Sequence, residues 1–410
     1  MRQADSSSTS MPRIVELAAI LLLAPAFGAA IQIPEGTQIQ IRLTTAVNSS
    51  TAKVDQAFEA VVIAPVVSGD QLAIAAGAKI TGHLKEVKAA TQPDDQAVLD
   101  LAFDQISGPD GKKAALAAKL ASVDNARESV DASGRITGIN ASQTGSARLD
   151  QGIKKVSEKY PGFGDLLGTI KGAVLKETDA NIDYEPGVEM TIELTKALAW
   201  NGKASWPDVK PIEPAGDIAR VVNSEPFRTT AEKPARPSDV TNLMFLGSAQ
   251  QIQNAFQKAG WSAAAQLNSQ SKLETFRAMA EDRGYQEAPV SILLLDGRPP
   301  DLVLEKQNNT FNARHHLRIW QRPGVFSGKQ IWVCAATHDI GIDFSEKDRT
   351  FIHKIDSKID VERAKVVNDL LLTGLVTGLS LVDRQNIPQD LSNATGDKLE
   401  TDGQMAVLGF

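Results

Sequence analysis

The sequence predicts two domains: a mainly-β, barrel-like N-terminal domain with a helical excursion, and a C-terminal α+β domain with a mixed or antiparallel sheet. The first half alternates apolar and polar residues with the period of a strand. A proline-rich segment follows, and the second half adds amphipathic helices to further strands. A chain of 410 residues is long enough to form two hydrophobic cores.

The composition is that of a globular protein, with 42% hydrophobic and 23% charged residues. The net charge is −7 and no block of Lys or Arg stands out, so we expect no nucleic-acid partner, because phosphate binding needs clustered cations. No phosphate loop, nucleophile elbow or CysXXCys pair is present, and we expect no cofactor.

Residues 1–30 have the pattern of a secretory signal peptide. The apolar run LAAILLLAPAF follows Arg13, precedes small residues, and is too short to span a bilayer comfortably. We therefore expect export to the periplasm or cell envelope, with outer-membrane association as a narrower possibility and no transmembrane segment after cleavage. An uncleaved anchor or a buried helix is the alternative.

The N-terminal domain is predicted over residues 31–206. Residues 31–47, IQIPEGTQIQIRLTTAV, place Ile39 and Ile41 on one apolar face, as in a half-buried strand. Residues 182–198, IDYEPGVEMTIELTKAL, repeat that pattern. Similar strands at the two ends of one segment suggest a sheet closed on itself, which removes exposed edges. Residues 134–180 are Gly/Ser-rich and then irregularly helical, which predicts a flexible excursion out of the barrel.

Several motifs in this half occur together in the same order: GTQIQIRL, IAAGAKITG, FDQISGPDGKKAAL, DASGRITG and PGVEMTIELTKAL. With them, residues 33–200 resemble the C-terminal β-barrel of the TrbI-type subunit of conjugative, type IV secretion systems. The resemblance implies a barrel and a docking role in the envelope. We do not carry over the pore function, because the excursion holds many lysines and does not have the pattern of a membrane helix.

Residues 207–237 hold six prolines, which favours an extended, semi-rigid linker. An irregular arm packed on one domain is the alternative. The C-terminal domain is predicted over residues 238–410. It begins with a strand at 239–247 and a helix capped by Ser248 with Gln251. A second helix at 271–284, four strands between 288 and 339, a helix with Asp356 as its N-cap, and a final strand at 404–410 complete it.

This domain is similar to the LssY C-terminal family. The motifs that carry the similarity include NLMFLGSAQQIQNAFQKAGW, APVSILLLDGRPPDLVLEK, RHHLRIW, IWVCAATHDIGI and HKIDSKIDVERAKVVNDLL. They cover essentially the whole of residues 238–410. The resemblance implies a bacterial domain linked by name to a secretion locus, and it does not by itself imply an enzymatic activity.

The stretch RHHLRIW supplies the candidate site. In a strand, Arg314, His316 and Arg318 share one face, whereas His315 lies on the mostly apolar opposite face and is expected to pack there. Two guanidinium groups with an imidazole between them suit a phosphate or carboxylate, and His338 is expected to join them as an anion-binding group. Candidate supporting or ion-pairing residues are Asp339, His353, Asp356, Asp360 and Arg363.

Two alternatives to an anion site remain open. A metal site on His316, His338, His353 and Asp339 lacks dense ligand spacing and has arginines beside the cation, so we predict no metal. A buried ion-pair network that has no catalytic role is the second alternative, because Asp360 and Arg363 lie one turn apart and Asp360 could pair with the strand arginines.

These observations favour an exported bacterial cell-envelope protein of the structural or binding type, with a link to secretion as a narrower possibility. An envelope or secretion-system protein is the expected partner, and a non-enzymatic role is favoured over catalysis. The competing hypothesis is a hydrolase or anion-binding protein acting on a phosphate-bearing envelope substrate through the Arg/His strand face.

Overall fold

A computed structural model shows two sheet-rich units. It describes residues 30–159, 171, 178–232, 235–264, 277, 293–306, 314–345 and 350–410, without the side chains of residues 156, 159 and 341–353. The predicted signal peptide, apart from its last residue, and nearly all of the predicted second helix at 271–284 lie outside the described residues.

The N-terminal unit consists of short antiparallel strands. They are β1 Ile31–Ile33, β2 Gln38–Leu43, β3 Val47–Asn48, β4 Ala57–Val62, β5 Val66–Ser68, β6 Gln71–Ile74, β7 Lys79–Lys88, β8 Val98–Ser107, β9 Lys113–Ala115, β10 Ala118–Val123, β11 Ser129–Val130, β12 Arg135–Thr137, β13 Asp183–Tyr184, β14 Glu189–Leu194 and β15 Leu198–Trp200. The main sheet has the order β10-β14-β2-β4-β7-β8-β12-β11, and β10 also lies beside β8 and β11. The sheet is therefore nearly closed, which confirms the barrel-like prediction.

The two similar strands at the ends of this unit are direct neighbours. In the antiparallel pair of β2 and β14, Ile39 lies opposite Ile192 and Ile41 opposite Met190. All four side chains are fully or almost fully buried, so the apolar face of each strand points into one core. Within the predicted excursion, a 3₁₀ turn at Ala141–Gln143 leads into helix α1, Gly145–Lys159.

The segment predicted as a linker has regular structure. It contains helix α2, Ala215–Ser224, strand β16, Arg228–Ala231, and the start of strand β17, Arg236–Val240. Ile218 and Val222 of α2 are buried in a core formed with the C-terminal sheet. The prolines are compatible with this packing because Pro214 stands at the helix N-cap and Pro237 in an edge strand, where a missing N–H is tolerated. The segment is thus part of the C-terminal unit and not an extended tether.

The rest of the C-terminal unit is a mixed sheet with helices on it. Its strands are β18 Leu243–Leu246, β19 Trp261–Ala263, β20 Leu293–Leu294, β21 Leu302–Lys306, β22 Arg314–Phe326, β23 Lys329–Ser345, β24 Thr350–Ile355, β25 Gly378–Asp383 and β26 Gln404–Gly409. The main sheet has the order β19-β21-β22-β23-β18-β26-β25. The pair of β18 and β26 is parallel and the other pairs in this order are antiparallel, which confirms the α+β prediction.

Two helices cover one face of this sheet. Helix α3, Ala249–Lys258, begins at Ser248 with the predicted capping box to Gln251, and it buries Ile252 and Phe256. Helix α4, Ile359–Leu372, has Lys358 at its N-cap and not Asp356, whose carboxylate accepts a hydrogen bond from the Lys358 N–H at 2.9 Å. Ile359, Val366 and Leu370 of α4 are buried. Within the described part of the chain, no helix combines the length and the apolar character that crossing a membrane requires.

Candidate functional site

Strand β22 presents its two histidines to opposite faces of the C-terminal sheet. The alternation of side chains along a strand puts Arg314, His316 and Arg318 on one face. His315 lies on the other face, which also carries Leu317 and helix α4. The expected separation of the adjacent histidines is what the structure shows, and each face has its own network of charges.

The Arg314 face is buried and contains carboxylates. Arg314 is 1% exposed and lies 3.5 Å from Glu305 and 3.6 Å from Asp339. Arg318 is bound to Asp239 at 3.2 Å, and His316 Nε2 lies 2.8 Å from the Thr337 hydroxyl. These guanidinium groups are therefore held by acidic side chains of neighbouring strands.

Burial changes the acidity of this face. Desolvation raises the pKa of the Asp339 carboxyl to about 7, although Arg314 and Arg318 act in the opposite direction. Burial also raises the pKa of Asp239 and lowers that of Arg318. A buried ion-pair network of this kind stabilises itself only through close pairing, because each charge loses its hydration.

The other candidate residues lie elsewhere. His338 projects from the face of β23 opposite to Arg314, so it is not close to the predicted anion group. Asp360 and Arg363 pair with each other at 3.0 Å at the start of α4, and Arg363 also binds Asp402 at 2.7 Å. The side chain of His353 lies outside the described residues. The structure thus brings Asp339, but not His338, to the strand arginines.

A second charge network joins the two units. Glu189 of β14 accepts hydrogen bonds from Arg42 Nη2 at 2.7 Å, and its carboxylate lies 2.8 Å from the Lys306 ammonium. Lys365 of α4 also binds Glu189. Asp369 of α4 lies 2.8 Å from Arg42 and 2.7 Å from Lys306, so the same cations serve two acids.

The acids and cations of this network depend on each other. Burial opposes the charge on Glu189, but Lys365, Lys306 and Arg42 hold the pKa of its carboxyl well below the usual range. Burial likewise opposes the charge on Lys365, and Asp369 and Glu189 outweigh it, so that the pKa of this ammonium is raised. Alternating charges thus compensate one another inside the interface.

His315 lies beside this network, between two carboxylates from different units. Its Nδ1 is 2.7 Å from Glu362 of α4, and its Nε2 is 2.7 Å from Asp124, which follows β10 of the barrel. Its ring stacks on that of His338 with centroids 4.2 Å apart and planes at 17°. His338 Nε2 in turn lies 2.8 Å from Asn125 Oδ1.

The protonation of these groups follows from their neighbours. Burial opposes a charge on His315, but Glu362 and Asp124 outweigh it and raise the pKa of the imidazole to about 10. The same contact holds the pKa of Asp124 at about 2 against the effect of burial. Burial and the adjacent His315 lower the pKa of His338. The pair therefore combines a charged imidazole with a neutral one.

His315, His338, Asp124 and Glu362 line an open cleft of about 780 Å³ between the two units. Asp124, Asn125 and Glu189 line it from the barrel side, and α4 and β23 line it from the other. Apolar side chains at its rim include Ile340, 48% exposed, and Val361, 59% exposed. The cleft thus combines charged side chains with apolar ones, a mixture that is common in ligand sites.

Sequence reasoning did not find this cluster. His315 was expected to pack on an apolar face, and it is indeed 4% exposed, but two carboxylates contact it. Asp124 lies 191 residues away from His315 in the chain, and no spacing rule connects residues in separate units. From the sequence, Glu362 is recognisable only as an acidic residue in the first turn of a helix.

The comparisons with known proteins concern the two units separately. The model of the family described as the LssY C-terminus matches residues 220–405, and no curated protein matches the chain. Among solved structures, ComB10 of the Com type IV secretion system of Helicobacter pylori is 12% identical with a TM-score of 0.23, over 40% of this chain and 88% of that chain. A TM-score of 0.23 is too low to support a structural or functional comparison. The resemblance of the barrel to secretion subunits is therefore based on its sequence motifs. Residues 220–405 are thus similar to the LssY C-terminal family, as the motifs of the second half predicted.

Proposed function

We propose that this protein is an exported bacterial cell-envelope protein of the structural or binding type, whose two units act as one body and bind a partner protein in the cleft between them. The observation that carries the proposal is the position of Glu189. This barrel residue is 8% exposed and binds cations from both units, including Lys306 and Lys365 of the C-terminal unit.

Shared buried charges fix one unit against the other. Separating the units would leave several buried ions without their partners at once. The loss of these partners costs free energy, because the ions are paired only with each other. A fixed interface keeps the cleft in one shape, and a pre-formed cleft binds with a smaller loss of conformational entropy. The chain therefore acts as one binding module, in contrast to two domains joined by a semi-rigid linker.

The rim of the cleft indicates the kind of partner. Val361 and Ile340 offer apolar contacts, whereas the floor is polar and charged. A segment of an envelope protein that places an apolar side chain on this rim and polar groups towards the floor fits both features. A subunit of a secretion assembly is a narrower version of the same partner, supported by the motifs of the barrel.

The alternative function, a hydrolase or anion-binding protein using Arg314, His316 and Arg318, has less support. These side chains are 1–4% exposed, and both arginines are ion-paired with buried carboxylates. An incoming phosphate would have to displace those acids without compensation from solvent.

The test places a photo-crosslinking amino acid at Val361 in the full chain, expressed in a bacterium that encodes the protein. Leu381 on strand β25 is the matched control, because it is also 59% exposed and does not line the cleft. We expect the protein in the periplasmic or envelope fraction and a discrete crosslinked protein at position 361 but not at 381. Retention in the cytoplasm, or equal crosslinking at both positions, would contradict the proposal.

A further inference from the structure

We infer that Asp124, His315 and His338 form a binding site for a divalent transition metal of the zinc class on the floor of the cleft. Each residue offers one ligand atom, and the three atoms lie within 4.8 Å of one another. Two imidazole nitrogens and one carboxylate oxygen are a donor set that zinc accepts in catalytic and binding sites, where three protein ligands leave one position open.

Binding requires the side chains to move, because the nearly parallel rings of His315 and His338 do not direct their in-plane lone pairs at one point. Ligands of a tetrahedral zinc ion, each about 2.0–2.2 Å from the metal, are about 3.3–3.6 Å apart. His315 Nε2 and Asp124 Oδ2, now 2.7 Å apart, must open slightly, and the more distant donors must approach. The side chain of Asp124 is 31% exposed, so it has room at the cleft to rotate. Coordination at Nε2 replaces the hydrogen of that nitrogen, which leaves to the buffer.

An outer partner for the metal ligand is already in place. Glu362, 3% exposed, holds Nδ1 of His315 at 2.7 Å and thereby directs Nε2 towards Asp124. A carboxylate on the distal nitrogen is the usual support of a metal-binding histidine, because it fixes the ring and increases the basicity of the ligand. We therefore assign Glu362 as a positioning residue and not as a ligand.

A second observation points to the same place. The other oxygen of Glu362, Oε1, is buried and has no hydrogen-bond partner among the described residues. A buried carboxylate oxygen without a partner costs free energy, and nearby positive charge lowers that cost. A divalent ion beside His315 provides such charge.

The surrounding charges also permit a cation. Lys365 acts on Asp124 and opposes a metal, but its ammonium is bound to Glu189 and lies 3.5 Å from Asp369. The arginines that disfavoured a metal on the predicted residues lie on the opposite face of β22, so this objection does not apply here. The open coordination position faces the cleft, where a water molecule or a donor group of the partner can occupy it.

This inference goes beyond the proposed function and does not depend on it, because metal binding is measured on the purified chain without a partner. The probe is Zn²⁺, added to the untagged, chelator-treated full chain and followed by calorimetry. We expect one ion per chain. Asp124→Asn and His338→Ala should each weaken binding by more than the ~10–100-fold typical of losing an outer-shell partner, and Glu362→Gln by an amount within that range.

The control variant is His83→Ala. His83 and Asp104 form a 2.8 Å pair on the barrel surface and have the same residue types without the third ligand or the cleft. The zinc affinity of the His83→Ala variant should equal that of the wild type. Co²⁺ in place of Zn²⁺ should give the visible absorption of a four-coordinate site, and Asp124→Asn should abolish it. Circular dichroism checks that each variant is folded, and the Asp124→Asn result decides the matter if His338→Ala does not fold.

The absence of stoichiometric zinc binding by the wild type would overturn the inference. An unchanged affinity in folded Asp124→Asn would also overturn it, because the ion would then be bound elsewhere. A failure to find an envelope partner leaves both of these results interpretable, so the two proposals can fail separately.

Discussion

Arg42 and Asp369 lie 327 residues apart in the sequence, and their side chains meet at 2.8 Å across the boundary between the two units. Arg42 comes from the second strand of the barrel and Asp369 from helix α4 of the C-terminal unit. Asp369 is 2% exposed and also accepts hydrogen bonds from Trp261 Nε1 at 3.0 Å and from Lys306 at 2.7 Å. One carboxylate thus connects the barrel, helix α4 and two strands of the C-terminal sheet.

Replacing Asp369 with alanine is expected to destabilise the whole chain. The change removes the acid and leaves Lys306 and Arg42 with excess positive charge in the interface, and breaking a buried pair on one side costs about 3–5 kcal/mol. Chemical denaturation of the purified protein measures the loss. Asp217→Ala is the control, since its pair with Arg220 is solvent-exposed and should be worth about 0–1 kcal/mol. A cost below that of the control would contradict the interface argument.

Glu189 is expected to make stability depend on acid pH. Its folded-state pKa is depressed by Lys365, Lys306 and Arg42 against burial, whereas a glutamate in an unfolded chain titrates near about 4.3. A depressed pKa contributes stability that is fully present above that unfolded value and is lost as pH falls through the folded value. Glu189→Gln should therefore unfold more easily at neutral pH, and its difference from the wild type should shrink below about pH 4.

Free energies of unfolding at a series of pH values test this expectation. Glu193→Gln, on the same strand but about a third exposed and 3.4 Å from Lys119, is the matched control and should change stability by about 0–1 kcal/mol. A Glu189→Gln variant whose deficit stays constant from neutral to acid pH would show that the carboxylate is not the source of the effect.

The sequence predicted the local structure well because local structure follows from short-range patterns. The alternation around Ile41 and Ile192, the capping box of Ser248, and the buried face of α4 are each visible within a few residues. The linker prediction differs from the structure because a high proline content favours extended chain but does not exclude packed elements. The buried Ile218 and Val222 outweigh it, and the prolines stand where helices and edge strands tolerate them.

The site was harder to predict because it is made by tertiary contact. Strand geometry correctly separated His315 from His316, but it gave no information on which acids approach each ring. The contact of His315 with Asp124 depends on how the barrel packs against the second unit. The prediction of Arg314, His316 and Arg318 as an anion site follows from their residue types and their shared strand face, and neither of these shows that the face is buried.

Inorganic phosphate is expected not to stabilise the protein through Arg318. The Arg318 guanidinium is 2% exposed and already bound to Asp239, so a phosphate would have to displace a buried acid. Thermal unfolding in excess phosphate, against sodium chloride of equal ionic strength, measures the effect. Arg318→Met should lower stability by about 3–5 kcal/mol in both salts, because it leaves Asp239 buried without this partner. A saturable phosphate stabilisation that Arg318→Met abolishes would instead support the anion-binding alternative.

Gly82 of strand β7 is expected to tolerate no side chain. A Cβ there would lie 2.1 Å from the Ala102 carbonyl oxygen of the paired strand and 2.5 Å from the ring of Phe58. The oxygen belongs to the β-ladder and cannot move without breaking it. Gly82→Ala should therefore lower the free energy of unfolding by about 3 kcal/mol or more, which is the upper end of the range for overpacked cores. Gly216→Ala is the control, because a Cβ at that position of α2 meets nothing within 4 Å and should change stability by less than about 1 kcal/mol, in the stabilising direction. Equal unfolding midpoints for the two variants would mean that β7 and β8 do not approach as closely as described.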